Sequence, residues 1–322
     1  MARPLRIEHE GAVYHVMSRG NRAEFIFGED SWKEYFIEVL ERTSERYDVE
    51  VYAYCIMGNH YHLLVGVPLG MLSRIMHIIQ SSYGSYIRRT QKWIGHVFAG
   101  RYKSLCVEKE NYLLQLSRYI HLNPVREGIA RAPEEYFWSS YRYYAGQKKP
   151  DWLKVEWLLS EYGKTYRVAQ RKYVDFVEAA IGSSLTFPGD QVVGQAILGG
   201  KEFVREVVEE VRKDRELKDV ASKRYYLKST DLNELYGAVC GYYEIKEIAR
   251  GREGGRGRDM FVYLAKEQTM ASNAEIGQMA GGITFSAVAQ RYARTARKVA
   301  QNRKVMAEWT REAKDILSRV KG

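Results

Sequence analysis

The sequence predicts an α+β protein in which a ferredoxin-like antiparallel sheet with helices is followed by an all-α connector and a helix-turn-helix domain. Three observations support this prediction. Residues 1–150 order their apolar patterns as β-α-β-β-α-β, the ferredoxin-like arrangement. Residues 151–228 show apolar residues at helical spacing. Residues 229–322 contain short helical segments separated by a glycine pair, as in a helix-turn-helix domain.

The strands of the first domain are predicted from β-branched and aromatic residues that lie between turn signals. They cover residues 12–18, 49–57 and 60–67, with a fourth strand within 97–108. The second and third strands are separated only by Gly58-Asn59, which predicts a tight hairpin.

Helical spacing predicts three helices in the same domain. The first is capped at Asp30-Ser31, and the second covers residues 72–87. The third begins near Asn111, which is its predicted N-cap. It ends at Asn123, because Pro124 disfavours helical conformation at the residue before it.

Composition favours a polyanionic partner. The 322 residues include 50 Lys and Arg against 40 Asp and Glu, which gives a net charge of +10. Such a balance points first to nucleic acid. Many of the 25 tyrosines stand beside cations, as in Arg101-Tyr102-Lys103. Aromatic faces interleaved with cations suit single-stranded DNA, whose bases stack while its phosphates meet positive charge.

The three cysteines, Cys55, Cys106 and Cys240, are odd in number and mostly lie in apolar contexts, which predicts reduced core residues. The N-terminus lacks an apolar signal region, and no apolar run reaches the roughly 18 residues of a membrane helix. We therefore expect a cytoplasmic, nucleoid-associated protein with no membrane partner.

Two histidines are the first candidate site residues. Side chains alternate along a strand, so His60 and His62 share one face while Tyr61 points to the other. Histidine is the commonest metal ligand in proteins, and this pair forms half of a metal site. Two ordinary strand histidines remain an alternative unless the chain supplies a third ligand.

The third predicted helix supplies the missing groups. Tyr119 and Asn123 are four residues apart and share a helix face, which places a phenol nucleophile beside an amide oxygen that can complete the metal site. Mg²⁺ prefers oxygen ligands, whereas Mn²⁺ accepts imidazole more readily, so either ion is a candidate cofactor. Tyr119 could instead be a packing residue. Tyr112 is a weaker nucleophile candidate because its i+4 neighbour, Leu116, cannot bind a metal.

The run His60-Tyr61-His62, followed by Tyr119-Ile120-His121-Leu122-Asn123-Pro124-Val125-Arg126, resembles the single-tyrosine transposases of the HUH endonuclease superfamily. More narrowly, it resembles the REP-associated tyrosine transposases. The resemblance covers about residues 1–150 and includes four flanking phrases: Ser18-Arg19-Gly20-Asn21-Arg22, Met57-Gly58-Asn59-His60, Gly100-Arg101-Tyr102-Lys103 and Trp138-Ser139-Ser140-Tyr141.

This resemblance implies cleavage of single-stranded DNA near hairpins, with a divalent metal, a 5′-phosphotyrosine and a free 3′-OH. It makes Tyr119 the nucleophile and His60, His62 and Asn123 the metal ligands. Tyr61 stands where a bulky aliphatic residue is more usual, and Asn123 stands where transposases of mobile elements carry Gln. Members of the family differ in whether the catalytic helix exchanges between subunits, so a homodimer is possible.

Cations beside the motifs are candidate phosphate contacts, with a solvated surface charge as the alternative for each. In the first domain these are Arg19, Arg22, Arg101 and Lys103. Residues 251–322 hold fourteen Lys and Arg against seven Asp and Glu, which is seven of the ten net charges. The candidates there lie in a Gly/Arg loop and at the start of the second helix of the predicted helix-turn-helix: Arg256, Arg258, Thr284, Ser286 and Arg291.

Three runs within residues 235–298 are Tyr242-Tyr243-Glu244-Ile245-Lys246, Tyr263-Leu264-Ala265-Lys266-Glu267 and Glu275-Ile276-Gly277. With these runs the segment resembles the DNA-binding domain of the replication initiator DnaA, although Ile283-Thr284-Phe285 replaces its usual Arg-Asp-His. Duplex DNA is therefore the expected partner of the third domain, and a plain helical hairpin is the alternative. For the whole chain we expect a metal-dependent single-strand endonuclease and strand transferase. The alternatives are a catalytically inactive, sequence-specific DNA-binding regulator and a phosphodiesterase that attacks with water.

Overall fold

The computed structural model describes residues 7–183, 187, 192–194, 196–213, 230–248, 255–269, 271–301 and 303–320. These residues form two compact units. The first unit comprises the described residues up to Phe187 together with 198–200, and the second comprises 192–197 and the residues from 201 onward. Among the described residues, no helix is both long and apolar enough to span a membrane.

The first unit is built on a sheet of four long strands: β1 (Ala12–Arg19), β2 (Glu50–Ile56), β3 (His60–Val67) and β4 (Lys103–Val107). Their order is β2-β3-β1-β4, and each neighbouring pair is antiparallel. The hairpin between β2 and β3 is closed by the Met57 amide, which donates to the His60 carbonyl at 2.8 Å. This confirms the predicted antiparallel sheet.

Helices α1 (Asp30–Tyr47) and α2 (Leu72–Gln91) cover one face of the sheet through an aromatic core. Tyr61 of β3 is fully buried there, with its ring centroid 4.8 Å from that of Phe36. Phe27 stacks on Tyr83 of α2 with centroids 4.8 Å apart. Each such ring contributes about 1.5–3 kcal/mol by leaving water, so this cluster fixes which face of β3 is turned inward.

Helix α3 (Lys109–His121) contacts β2 and β3 and ends before the single turn of α4 (Asn123–Arg126). Pro124 occupies the first turn of α4, where its missing N–H costs no hydrogen bond. The predicted caps were wrong. Glu108 precedes α3, so Asn111 lies inside the helix, and Glu29 precedes α1, so Asp30 is its first residue.

Residues after α4 continue the first unit as α5 (Tyr141–Tyr144), α6 (Glu156–Ser160) and α7 (Tyr166–Glu178). A buried polar network joins α3 to α7. The Tyr173 hydroxyl donates to Ser117 Oγ at 3.0 Å and lies 2.7 Å from His121 Nδ1. His121 Nε2 is 2.8 Å from Ser140 Oγ. His121 is thus a packing residue with both ring nitrogens satisfied, as its position on the helix predicts.

The second unit begins with strand residues that the sequence did not predict. Two short strands, β5 (Val192–Val193) and β6 (Ile197–Leu198), stand where helical spacing was expected, and α8 begins only at Lys201 and ends at Lys213. Leu198 itself belongs to the first unit, where its carbonyl accepts from the Glu108 amide at 2.9 Å.

Helices α9 (Leu232–Tyr243), α10 (Gly255–Gln268), α11 (Asn273–Met279), α12 (Phe285–Gln301) and α13 (Arg303–Val320) complete the second unit. Ser272 and Glu275 form a capping box before α11. Gly281 and Gly282 end that helix with φ values of +86° and +68°. Glycine is needed there because a side chain disfavours this left-handed conformation.

Buried neutral histidines should make the protein sensitive to acid. Burial lowers the pKa of His15 and of His121 to about 3. Below pH 6.5 the two histidines bind protons in the unfolded chain but stay neutral in the folded chain. The free energy of unfolding therefore falls as pH decreases toward 3. Each group contributes a slope of up to about 1.4 kcal/mol per pH unit.

Urea unfolding between pH 7 and pH 4.5 would measure this slope. In His121→Gln, which cannot titrate, we expect the slope to fall by about 1.4 kcal/mol per pH unit. The exposed His77 provides the control variant His77→Gln, which should retain the wild-type slope. An unchanged slope in His121→Gln would contradict the prediction.

Candidate active site on the histidine face of the sheet

The pairing of strands places the candidate residues in rows across one face of the sheet. His60 of β3 lies opposite Arg19 of β1, and His62 lies opposite Met17. Met17 also lies opposite Lys103 of β4. Because facing residues of antiparallel strands project to the same side, two candidate cations share the face that carries both histidines.

A third histidine, His15, joins this face, and sequence reasoning missed it. His15 stands two residues before Met17 on β1 and is therefore the diagonal neighbour of His62. Its Nε2 lies 3.0 Å from His62 Nδ1, and both rings are buried. The sequence indicates only that His15 and Arg19 share a face of β1, because an even number of residues separates them on the strand. The contact between His15 and His62 becomes visible only from the register of β1 against β3.

Asn59 orients the other histidine. His60 Nδ1 is 2.6 Å from Asn59 Oδ1, which can only accept, so the imidazole donates and its Nε2 keeps a lone pair. The Asn59 side-chain nitrogen donates to the Ala23 carbonyl at 3.4 Å, which fixes the orientation of the amide. In His62, Nδ1 is occupied by His15, so Nε2 is again the nitrogen left for a ligand.

Electrostatics keep these imidazoles neutral. Burial lowers the pKa of His62 well below its usual value, and the neighbouring His15, His60 and Arg126 lower it further. Burial also lowers the pKa of His60, with Arg19 adding to the shift and Glu127 opposing it. A metal ligand must be deprotonated, so neutral imidazoles at pH 7 are ready to bind.

Helix α3 brings the candidate nucleophile to the histidines of the same chain. The Tyr119 ring centroid lies 5.8 Å from that of His62 and 6.2 Å from that of His15, both edge to face. The Arg126 guanidinium sits 4.5 Å from the Tyr119 centroid. Phe187 contacts the same phenol with centroids 5.2 Å apart. The Tyr119 ring is therefore held between the histidine face, a cation and an aromatic ring.

Asn123 offers an oxygen beside this tyrosine. Its side-chain nitrogen donates to the Tyr119 carbonyl at 3.1 Å, so Oδ1 is the atom left for a metal. Within the part of the chain that the structure describes, no three His, Cys, Asp or Glu side chains are placed to hold an ion. A site on His60 and His62 would therefore take its third ligand from another residue type, and two imidazole nitrogens with an amide oxygen would suit Mn²⁺ better than Mg²⁺.

The segment that carries the candidate site residues matches a known protein family. Residues 9–123 match the family model described as "Transposase IS200 like". The match covers about a third of the chain, within the first unit. The matched segment contains His15, His60, His62, Tyr119 and Asn123. No curated protein matches the chain.

Two solved structures are similar to parts of the chain. One is described as a REP-associated tyrosine transposase bound to a REP hairpin, with 13% identity over 48% of this chain and 94% of that chain, and a TM-score of 0.41. The other is a candidate transposase from Deinococcus radiodurans R1, with 18% identity over 37% of this chain and 95% of that chain, and a TM-score of 0.28.

The candidate phosphate contacts of the first unit lie at its surface. Arg19 ends β1 beside His60, Lys103 begins β4 in the row of His62, and both are exposed. Arg22 is exposed in the turn after β1, and Arg101 is exposed just before β4. The structure therefore brings Arg19 and Lys103 to the histidine face.

In the second unit, three predicted DNA contacts have intramolecular roles. Arg256 forms ion pairs with Glu308 at 2.9 Å and Glu312 at 2.6 Å. Arg291 pairs with Asp259, and Arg258 is buried. Thr284 and Ser286 are exposed at the start of α12, where Thr284 Oγ1 accepts from the Ala287 amide at 3.3 Å. Sequence reasoning missed the exposed cations farther along α12: Arg294, Arg297 and Lys298.

We expect substitution of His15 to weaken metal binding without removing a ligand. His15→Leu deletes the acceptor for His62 Nδ1–H, and losing such an outer partner typically lowers metal affinity about 10- to 100-fold. His15→Gln restores an acceptor oxygen and should recover part of that loss. Mn²⁺ titration of the metal-free full chain, followed by electron paramagnetic resonance, would measure the affinities.

His77→Gln, at an exposed position on α2, provides the control for a general loss of histidine. Circular dichroism would establish that the His15 variants remain folded. Equal Mn²⁺ affinity in wild type and a folded His15→Leu would show that the His15–His62 contact does not prepare the site.

Proposed function

We propose that the protein is a metal-dependent endonuclease and strand transferase that cleaves single-stranded DNA near hairpins through a covalent 5′-phosphotyrosine at Tyr119. The observation that carries this proposal is the Tyr119 phenol, held edge-on to His62 at 5.8 Å beneath the Arg126 guanidinium. The IS200-like family match supports the same class of chemistry. The hairpin substrate follows from the resemblance to REP-associated tyrosine transposases.

The reaction exchanges one phosphodiester for another. Tyr119 Oη attacks phosphorus and loses its proton to solvent, while the bond from phosphorus to the 3′ oxygen breaks. The 3′ oxygen takes up a proton and leaves as a free hydroxyl, and the 5′ phosphate remains on the tyrosine. Because the number of phosphodiester bonds is unchanged, a 3′-OH can later attack the phosphotyrosine and rejoin the strands.

His60 Nε2, His62 Nε2 and Asn123 Oδ1 would hold the divalent ion, either Mg²⁺ or Mn²⁺. When bound, the ion supplies positive charge to the phosphodiester under attack. Arg126 helps to orient the phenol through its contact at 4.5 Å with the ring. The fixed hydrogen bonds of the histidines to Asn59 and His15 support this ligand set.

Cations on the histidine face would hold the DNA backbone. Arg19 and Lys103 lie in the rows of His60 and His62 and are exposed, which suits contacts to phosphates on either side of the scissile bond. Arg22 and Arg101 would extend this positive track. The proposed site draws all its residues from one chain, so it needs no second copy, although a homodimer remains compatible with it.

The second unit would bind duplex DNA through α12. Its exposed face carries Ser286, Arg294, Arg297 and Lys298, and the Thr284 side chain caps its first turn. A basic helix that follows a short glycine turn is suited to enter a major groove. Such an anchor would raise the local concentration of the active site at chosen loci in the nucleoid.

Two other functions predict different products. An inactive DNA-binding regulator would retain DNA without cleaving it. A phosphodiesterase that attacks with water would cleave DNA without forming a covalent protein adduct. The contact between Tyr119 and the paired histidines favours the covalent mechanism over both, because neither alternative needs a phenol at that position.

Covalent trapping tests the proposal. The full chain would be incubated with Mn²⁺ or Mg²⁺ and 5′- or 3′-labelled single-stranded hairpin DNA from the sequence flanking its own gene, and the products run on a denaturing protein gel. We expect a metal-dependent labelled protein band only when the label lies 3′ to the break, because the tyrosine keeps the 5′ phosphate. Tyr119→Phe should abolish the band.

Tyr112→Phe is the matched control, since it removes another hydroxyl from α3 seven residues earlier. It should form the adduct at the wild-type rate. A band that persists in Tyr119→Phe would refute Tyr119 as the nucleophile, and cleavage without any band would favour attack by water.

The proposal that α12 binds duplex DNA leads to a separate prediction. Arg297→Gln with Lys298→Gln should weaken duplex binding and reduce the slope of log affinity against log salt by about 2, because each phosphate contact contributes nearly one unit. Fluorescence anisotropy at several salt concentrations would measure it. Arg311→Gln, an exposed cation of α13, is the control and should leave the slope unchanged.

A further inference from the structure

We propose that Phe25 is a stacking platform for one unpaired base of the DNA strand, placed beside the His60 end of the active site. This inference rests on the proposed function, because it names a subsite for the same single-stranded substrate. It assigns a binding role to a residue that lies outside the histidine and tyrosine motifs.

The Phe25 ring is exposed on one side and supported on the other. Its side chain is 69% exposed, which forfeits most of the roughly 1.5–3 kcal/mol that burying a phenylalanine contributes. Its other side lies against Gly58, where an added Cβ would meet Phe25 Cδ1 at 2.8 Å. Gly58 is the turn residue just before Asn59 and His60. The glycine therefore lets the ring approach closely the turn that begins the histidine strand.

Two residues just before Phe25 in the chain have a left-handed backbone conformation. Arg22 and Ala23 have φ values of +53° and +62°, and two consecutive residues other than glycine rarely adopt that conformation. Each costs on the order of 1–3 kcal/mol, and such strain is concentrated at functional sites. Gly20 permits the turn to close, because a Cβ there would lie 2.2 Å from the Glu24 carbonyl oxygen.

Hydrogen bonds tie the turn to the active site. The Gly20 amide donates to the Asn59 carbonyl at 2.7 Å, and the Phe27 amide donates to the Gly58 carbonyl at 2.8 Å. The Asn59 side chain, which also accepts from His60, donates to the Ala23 carbonyl at 3.4 Å. The position of the Phe25 ring is thus coupled through a few bonds to that of a proposed metal ligand.

The charges around the Phe25 ring favour a nucleotide as the group that stacks on it. Arg19 and Arg22 are exposed on the same turn, and Arg19 lies opposite His60. An exposed aromatic face with cations spaced along the chain is the pattern by which proteins bind single strands without reading sequence. A base on Phe25 would leave its phosphates between these arginines, on the path toward Tyr119.

Photocrosslinking would test this placement. The full chain with Tyr119→Phe, which cannot consume its substrate, would be bound in Mn²⁺ to single-stranded oligothymidylate that carries 5-iododeoxyuridine. This base crosslinks to aromatic rings on which it stacks. We expect a crosslink at Phe25 by mass spectrometry, retained as a crosslink at position 25 in Phe25→Trp. Phe25→Leu should lose it and bind the oligonucleotide about 5- to 160-fold more weakly, the range for losing one stacked base.

Phe137 provides the matched control. It is also exposed, at 57%, but the Arg142 guanidinium already covers its ring at 3.8 Å. Phe137→Leu should change neither the crosslink nor the affinity.

The outcomes separate this inference from the proposed function. If wild type forms the Tyr119 adduct but Phe25→Leu binds as tightly and no crosslink maps to Phe25, the stacking site is refuted and the enzyme assignment stands. If the chain neither binds oligothymidylate nor forms an adduct with hairpin DNA, both are refuted.

Discussion

The two-residue period of β3 is the constraint on which the proposed active site depends. Tyr61 points into the aromatic core with Phe36, so His60 and His62 must point to the opposite face. A shift of one residue in the pairing of β3 would turn the tyrosine toward α3 and place both imidazoles among phenyl rings. The free energy of the core therefore sets the direction of the proposed metal ligands, although no core residue touches a substrate.

The position of Tyr119 also depends on the contacts that hold α3 against the sheet. Its last turn is fixed on the far side by His121, which reaches Ser140 and Tyr173, and on the near side by Asn123. Both ring nitrogens of His121 are bonded, so rotation of the helix would leave buried polar atoms unsatisfied at a cost of about 1–3 kcal/mol each. Residues of α7 thus help to aim Tyr119, which couples the predicted connector to the active site.

Local periodicity predicted the residues that share a strand or a helix face, and it failed where partners come from distant segments. His60 with His62 follows from spacing alone. Tyr119 and Asn123 were predicted on one helix, but α3 ends at His121 and Asn123 begins α4, where its side chain still reaches the Tyr119 carbonyl. His15 could not be predicted, because its contact with His62 depends on strand register. Arg256 and Arg291 stay predictions as DNA contacts, but the sequence does not show that Glu312 and Asp259 lie beside them. The strands at 192–198 were missed because short apolar runs fit either period.

One turn of the first unit combines left-handed backbone with an exposed aromatic ring. Arg22, Ala23 and Phe25 give up several kcal/mol of backbone and hydrophobic free energy within four residues. The neighbouring strands are regular, and their buried aromatic core can offset that cost. A turn selected only for stability would place Gly or Asn at the left-handed positions and a polar residue at Phe25. Because the turn is bonded to Asn59 and the histidine strand, its shape is better explained by what it presents to the substrate than by what it contributes to the fold.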